Sequence, residues 1–128
     1  MRLLLDTHAL VWAILSPEKL SPPASRAIKS TSNEVFVSSA TAWELATKYR
    51  IGKLPQAARL SDDFESLVED LVASHLPITA DHALTAGLLP GAHRDPFDRM
   101  LAAQSQLEGL HLITRDPAFS AFDVRVIW

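Results

Sequence analysis

Arg2-Leu3-Leu4-Leu5-Asp6-Thr7, with Ala9 to Leu15 behind it, puts an apolar run directly against a helical one. Leu3, Leu4 and Leu5 in succession leave no polar face, so Arg2-Leu3-Leu4-Leu5 reads as a buried strand. Thr7 to Leu15 fits a helix, and Ser16-Pro17 stops it. The rest of the sequence keeps up the alternation. Ser21-Pro22-Pro23 opens a second helix with a capping residue and prolines that a first turn tolerates. Glu34-Val35-Phe36-Val37-Ser38 is β-branched and aromatic, hence strand. Thr41 to Ile51 is helical, with Gly52 placed to end it. Ser61-Asp62-Asp63 starts an amphipathic helix whose apolar positions are Phe64, Leu67, Val68, Leu71 and Val72.

Leu76-Pro77-Ile78-Thr79 reads as a short strand and Asp81 to Leu89 as a helix. Asp95-Pro96 opens another helix, with Phe97, Met100, Leu101 and Leu107 inward and Gly109 closing it. Leu110 to Thr114 and Val124 to Trp128 are the last strands. Such alternation predicts an α/β protein, a mostly parallel sheet covered by helices on both faces.

Composition narrows the class. The 128 residues correspond to about one domain. Hydrophobic residues at 48% and charged residues at 21% exclude a disordered chain and a collagen. The chain has no cysteine, so disulfides, zinc-thiolate sites and thiol catalysis are excluded. The apolar runs fall well short of the roughly 20 residues that span a bilayer. A soluble, cytoplasmic protein with no membrane partner is expected. The net charge of −3 gives no bulk positive field for nucleic acid.

The acids are the chemical signal. Asp6 directly follows the first strand, and Asp116 lies two residues past Thr114. Asp98 sits in the first turn of the helix that begins near Asp95-Pro96, and Glu44 in the first turn of the helix after the second strand. In an open parallel sheet all four face the crevice beyond the carboxyl ends of the strands. Each also has a plain structural reading. Asp6 can cap the helix at Thr7. Thr41-x-x-Glu44 makes a capping box. Asp98, three residues after Asp95, can play the same part, and Asp116 before Pro117 is a good cap. Together, however, four carboxylates at one edge repel, and burying them costs several kcal/mol, roughly, unless a cation intervenes. A hard divalent ion, Mg²⁺ or Mn²⁺, suits an all-oxygen pocket. It activates water and stabilises charge on a phosphoryl oxygen, which points to phosphodiester hydrolysis.

The residues also carry a family likeness. Leu3-Leu4-Leu5-Asp6-Thr7-His8, Ser39-Ala40-Thr41-Ala42-Trp43-Glu44, Asp95-Pro96-Phe97-Asp98-Arg99-Met100-Leu101-Ala102-Ala103-Gln104 and Leu112-Ile113-Thr114-Arg115-Asp116 resemble the PIN-domain ribonucleases. They most resemble the VapC-like toxins of type II toxin–antitoxin pairs. The resemblance implies a three-layer α/β/α sandwich with a parallel sheet, residues 1–128 forming one nuclease domain. It implies a Mg²⁺- or Mn²⁺-dependent endoribonuclease whose acidic quartet is Asp6, Glu44, Asp98 and Asp116. Asp6 and Asp98 would be the main metal ligands, with Asp116 direct or through water, Glu44 orienting water and Thr114 supporting Asp6. The implied substrate is structured RNA such as tRNA or rRNA, cut to leave a 5′-phosphate. The implied partners are a cognate VapB-like antitoxin and a second copy in a homodimer.

Charge fits RNA better than the total suggests. With the four site acids set aside, 11 acids face 12 Lys and Arg, a balance of +1. Arg99 and Arg115 neighbour the quartet and are the expected phosphate contacts; Lys48, Arg50, Lys53 and Arg94 are further candidates. His8, two residues after Asp6, suits the pocket rim; the remaining histidines carry no signal. Trp12, Leu15, Trp43 and Tyr49 fall in the early helices, where related toxins offer a groove to the antitoxin. Two competing enzyme classes fail. A dehalogenase-like phosphatase needs Asp-x-Asp where this chain has Asp6-Thr7-His8, and no Gly-rich phosphate loop is present. A non-catalytic binding module on the same scaffold, or a house-keeping RNA-processing nuclease without an antitoxin, stands as the alternative.

Overall fold

A computed structural model describes residues 1–128. Five strands form one sheet: β1 Arg2–Leu5, β2 Glu34–Ser38, β3 Ser74–Leu76, β4 His111–Ile113 and β5 Arg125–Ile127. Their spatial order is β3-β2-β1-β4-β5, and every neighbouring pair is parallel. The leucines of β1 explain its central place. Leu3 and Leu5 point into one core with Val35, Val37 and Ile113, while Leu4 points into the other with Phe36 and Leu112. A strand buried on both faces needs helices on both faces.

Seven helices supply them: α1 Thr7–Leu15, α2 Pro22–Lys29, α3 Ser39–Arg50, α4 Ala57–Asp62, α5 Phe64–Asp70, α6 Ala80–Leu88 and α7 Pro96–Glu108. Helices α1, α2, α4 and α5 cover the first core, and Leu45 of α3 joins them. Residues of α6 and α7, with Phe119 and Phe122, cover the second. The result is the expected three-layer α/β/α sandwich.

Local signals set most boundaries. Ser21 caps α2 ahead of two prolines, and Asp95 caps α7 ahead of Pro96. Gly109 ends α7 in the left-handed conformation at φ 65, which a glycine adopts without strain. Four expectations need correction. The single helix from Ser61 is two helices, broken at Asp63, and α4 begins at Ala57. Phe64, Leu67, Val68 and Leu71 do pack inward, but Val72 turns out at φ 55 and is 89% exposed, because the chain must leave the helix to enter β3. The third strand is Ser74–Leu76, earlier than the expected Leu76 to Thr79, since Thr79 is taken as the cap of α6. Leu107, expected inward, is 48% exposed near the end of α7. No helix is long and apolar enough to cross a membrane.

Candidate active site

Parallel strands put the starts of α1, α3 and α7 and the loop after β4 at one edge of the sheet. Asp6, Glu44, Asp98 and Asp116 all line a single cavity of about 140 Å³ there, with Thr7, His8, Lys48 and Asp95. No apolar side chain contributes to its wall. Four chain segments far apart in sequence thus deliver their acids to one place.

Asp6 is both cap and site residue. Its Oδ1 accepts from the Ala9 N–H at 2.7 Å, and its Oδ2 accepts from the hydroxyl of buried Thr114. The Thr114 hydroxyl in turn accepts from the Asp116 N–H at 3.0 Å, which ties the ends of β1 and β4 together. Asp116 remains exposed and caps the following 3₁₀ turn, Pro117–Ala121, through the Ala118 N–H at 2.9 Å. Capping and site membership are therefore compatible for these two acids.

Glu44 is different. The capping-box reading with Thr41 fails, because α3 starts earlier and Ser38 is its cap, 3.0 Å from the Ala40 N–H. Freed from that duty, the buried Glu44 accepts from the Thr7 hydroxyl and stands 3.8 Å from Lys48, one turn along α3. Asp98 is likewise not the cap of α7. Asp95 Oδ1 takes the Phe97 and Asp98 N–H groups at 2.9 and 3.1 Å. The Asp98 side chain is left to meet His93 Nε2 at 2.9 Å.

Burial is the main electrostatic effect. It raises the Asp6 carboxyl above the ordinary value, against the lowering effect of the Thr114 and Ala9 hydrogen bonds; nearby Glu44 pushes the same way as burial. Burial also raises Asp98, to about 6, with Asp95, Glu44 and Asp116 adding repulsion and His93 opposing. Carboxyls raised by burial and like charge gain from a cation. The donor set is all carboxylate and hydroxyl, which suits a hard ion. No three acidic or histidine side chains are grouped closely enough to grip an ion directly in this arrangement.

The basic residues divide. Arg115 is exposed, with its guanidinium 5.2 Å above the Trp12 ring, in a second cavity that shares Asp6, His8 and Asp116 with the first. Arg99, expected at the phosphates, is committed elsewhere. It donates to four backbone carbonyls: Ala86 at 2.9 Å, His93 at 2.9 Å, Leu89 at 2.6 Å and Gly87 at 3.3 Å. A guanidinium fork suits that task, and it fixes the loop that carries His93. His8 lies at the rim as expected. Trp43 and Tyr49 are each 53% exposed on α3, and Trp43 packs edge-on against Phe97.

Two participants escaped the sequence reading. His93 lies in an irregular loop five residues before Asp98, a spacing with no helical or strand meaning. Thr7 read only as the start of α1. Lys48, four residues after Glu44, carried a legible signal, the Glu-to-Lys helical pair.

The site and sheet define a class, an α/β protein with a carboxylate cluster at the carboxyl edge of a parallel sheet. A family model described as PIN domain matches residues 3–125, and the chain belongs to that family. A curated relative, Ribonuclease VapC22 of Mycobacterium tuberculosis, is 32% identical over 114 residues, covering 88% of this chain and 85% of the relative. Solved structures share the fold. VapBC2 of Rickettsia felis, bound to a promoter DNA fragment, aligns with TM-score 0.67 at 18% identity, over 99% of this chain and 98% of that one. VapBC-5 of M. tuberculosis aligns with TM-score 0.64 at 20% identity, over 98% and 97%. FitAcB of Neisseria gonorrhoeae aligns with TM-score 0.63 at 22% identity, over 100% and 97%. VapC ribonucleases of the PIN-domain family are in general divalent-metal dependent.

Proposed function

We propose that the protein is a Mg²⁺- or Mn²⁺-dependent endoribonuclease and the toxin of a type II toxin–antitoxin pair. One observation carries this reading: four carboxylates from four separate segments line one cavity, two of them raised by burial. A fold has no reason of stability to gather them. Kinship with a VapC ribonuclease supplies the reaction class. The partner is a VapB-like antitoxin, by likeness to a VapBC toxin–antitoxin structure.

Asp6, Asp98 and Asp116 would hold the ion, Asp116 directly or through water. When bound, the cation lowers the pKa of water and offsets charge on a phosphoryl oxygen. Glu44, 3.8 Å from Lys48, would orient the attacking water and accept its proton. Thr114 fixes the rotamer of Asp6, and His93 that of Asp98. Water displaces the 3′-oxygen, which leaves a 3′-hydroxyl and a 5′-phosphate on the two fragments. Structured RNA such as tRNA or rRNA is the substrate.

Cleavage of total cellular RNA by the purified, antitoxin-free protein tests the proposal. The assay runs with Mg²⁺, with Mn²⁺ and with chelator, beside Asp6→Asn and Asp98→Asn. Discrete metal-dependent fragments, lost in both variants, are expected. A folded protein with neither cleavage nor metal binding would overturn the proposal and favour a binding module.

A further inference from the structure

The second cavity has a use of its own. It measures about 300 Å³, is lined by Asp6, His8, Trp12, Arg115, Asp116 and Pro117, and opens onto the acids through three shared residues. Its floor is layered. Trp12 packs at a tilt against Trp128 and against His8, each at 5.7 Å, and Arg115 lies over the indole at 5.2 Å. Arg115 itself is exposed.

Arg115 is also free to bind. It enters no ion pair and no hydrogen bond, although Asp6 and Asp116 share its cavity. Arg2 offers an internal control. It lies over Phe36 at 5.1 Å in the same manner, but its guanidinium is taken, donating to the Glu108 carbonyl at 2.6 Å and standing 3.8 Å from Glu34. The backbone under Arg115 is fixed on both sides, by Thr114 bonded to Asp6 and by Asp116 capping the next turn. The guanidinium over Trp12 thus rises from an anchored stretch of chain, in a cavity that Asp6 and Asp116 also line.

We propose that Arg115 on Trp12 is a stacking platform for one unpaired nucleobase of the RNA, the base adjoining the scissile phosphate. Unpaired bases stack on guanidinium planes and aromatic rings, whereas paired bases expose no face to them. The platform therefore selects a loop or single-stranded segment within a structured RNA. This rests on the ribonuclease reading above.

The test uses the shortest RNA fragment that the wild-type protein still cuts, remade with one abasic residue at each position flanking the cut. Stacking is worth about 5- to 150-fold per base. One abasic position is expected to lower kcat/KM by that factor in the wild type. Arg115→Ala should lower it equally on the intact fragment, and the abasic change should then cost nothing more in that variant. Arg115→Lys should fail to rescue, because it keeps the charge and loses the plane. Trp12→Phe should fall between. Full activity in Arg115→Lys would make Arg115 a phosphate contact and overturn the platform. So would indifference to every abasic position. Unchanged cleavage with weakened inhibition by the antitoxin would give this face to the protein partner instead. No cleavage of any cellular RNA, with or without metal, would remove the ribonuclease reading and the platform with it.

Discussion

At the amino edge of the sheet, Arg2 stands beside Glu34 at 3.8 Å and Arg125 donates to the Gly109 carbonyl at 3.1 Å. Both guanidinium groups are exposed, one beside an opposite charge and one on a backbone carbonyl, as befits solvated surface. At the carboxyl edge, four acids and Asp95 share one cavity with a single ammonium, Lys48, in its wall. Two of them have carboxyls pushed up by burial. The same sheet thus ends in two electrostatic styles. At the first, each cation has its own partner; at the second, caps and hydrogen bonds hold acids that still repel one another. Charge of one sign, partly buried and fed from distant segments, marks the working edge.

The largest expected effect separates the edges by activity. Asp6→Asn and Asp98→Asn should each cut RNA cleavage by about 10³-fold, several kcal/mol of charge stabilisation at the phosphoryl group. Initial rates on a fixed RNA, with circular dichroism to confirm folding, measure this. Cleavage within tenfold of wild type would mean that the carboxyl edge does not carry the chemistry.

Arg99 sharpens it, because a cation so near the acids serves the backbone. Arg99→Ala should destabilise the fold by about 2–4 kcal/mol, since four charge-assisted carbonyl contacts go at once. Urea denaturation reads this directly. An unchanged midpoint with weakened RNA binding would return Arg99 to the phosphates.

The pH dependence follows from Asp98. Its folded-state value of about 6 lies above the ordinary 3.8. Between these values the folded protein holds a proton that the unfolded chain has released. This group's contribution to metal-free stability therefore falls as pH rises through that window. Asp98→Asn should remove that slope, and the melting temperature gained over wild type should grow from pH 4 to pH 7. A constant difference across the window would mean that Asp98 is not raised. The smallest effect belongs to the amino edge: Arg2→Ala or Glu34→Ala should change stability by roughly 0–1 kcal/mol and leave cleavage untouched.

Much of this was legible because the fold uses strong local signals. The unbroken leucines of β1, the Ser21-Pro22-Pro23 start and the Asp95-Pro96 start with its Gly109 stop each have one economical reading. The acids were legible through topology, since parallel strands send their carboxyl ends to one side. What escaped was set by tertiary contact. Nothing in Arg99-Met100 tells a phosphate contact from a carbonyl clamp, since a guanidinium suits both. His93 acquires meaning only when its loop folds back on Asp98. The periodicity from Phe64 to Val72 ran on past the point where the chain turns to reach β3.

On the proposed function, the carboxyl edge is built to receive a divalent cation. Calorimetric titration of the metal-free protein with Mn²⁺, at pH 7 and again at pH 5.5, tests it most directly. Saturable binding is expected at pH 7, weakened at pH 5.5 as Asp98 takes up its proton, and lost in Asp6→Asn and Asp98→Asn. A folded wild-type protein that binds no Mn²⁺ at pH 7, or binds it equally well in both variants, would contradict it.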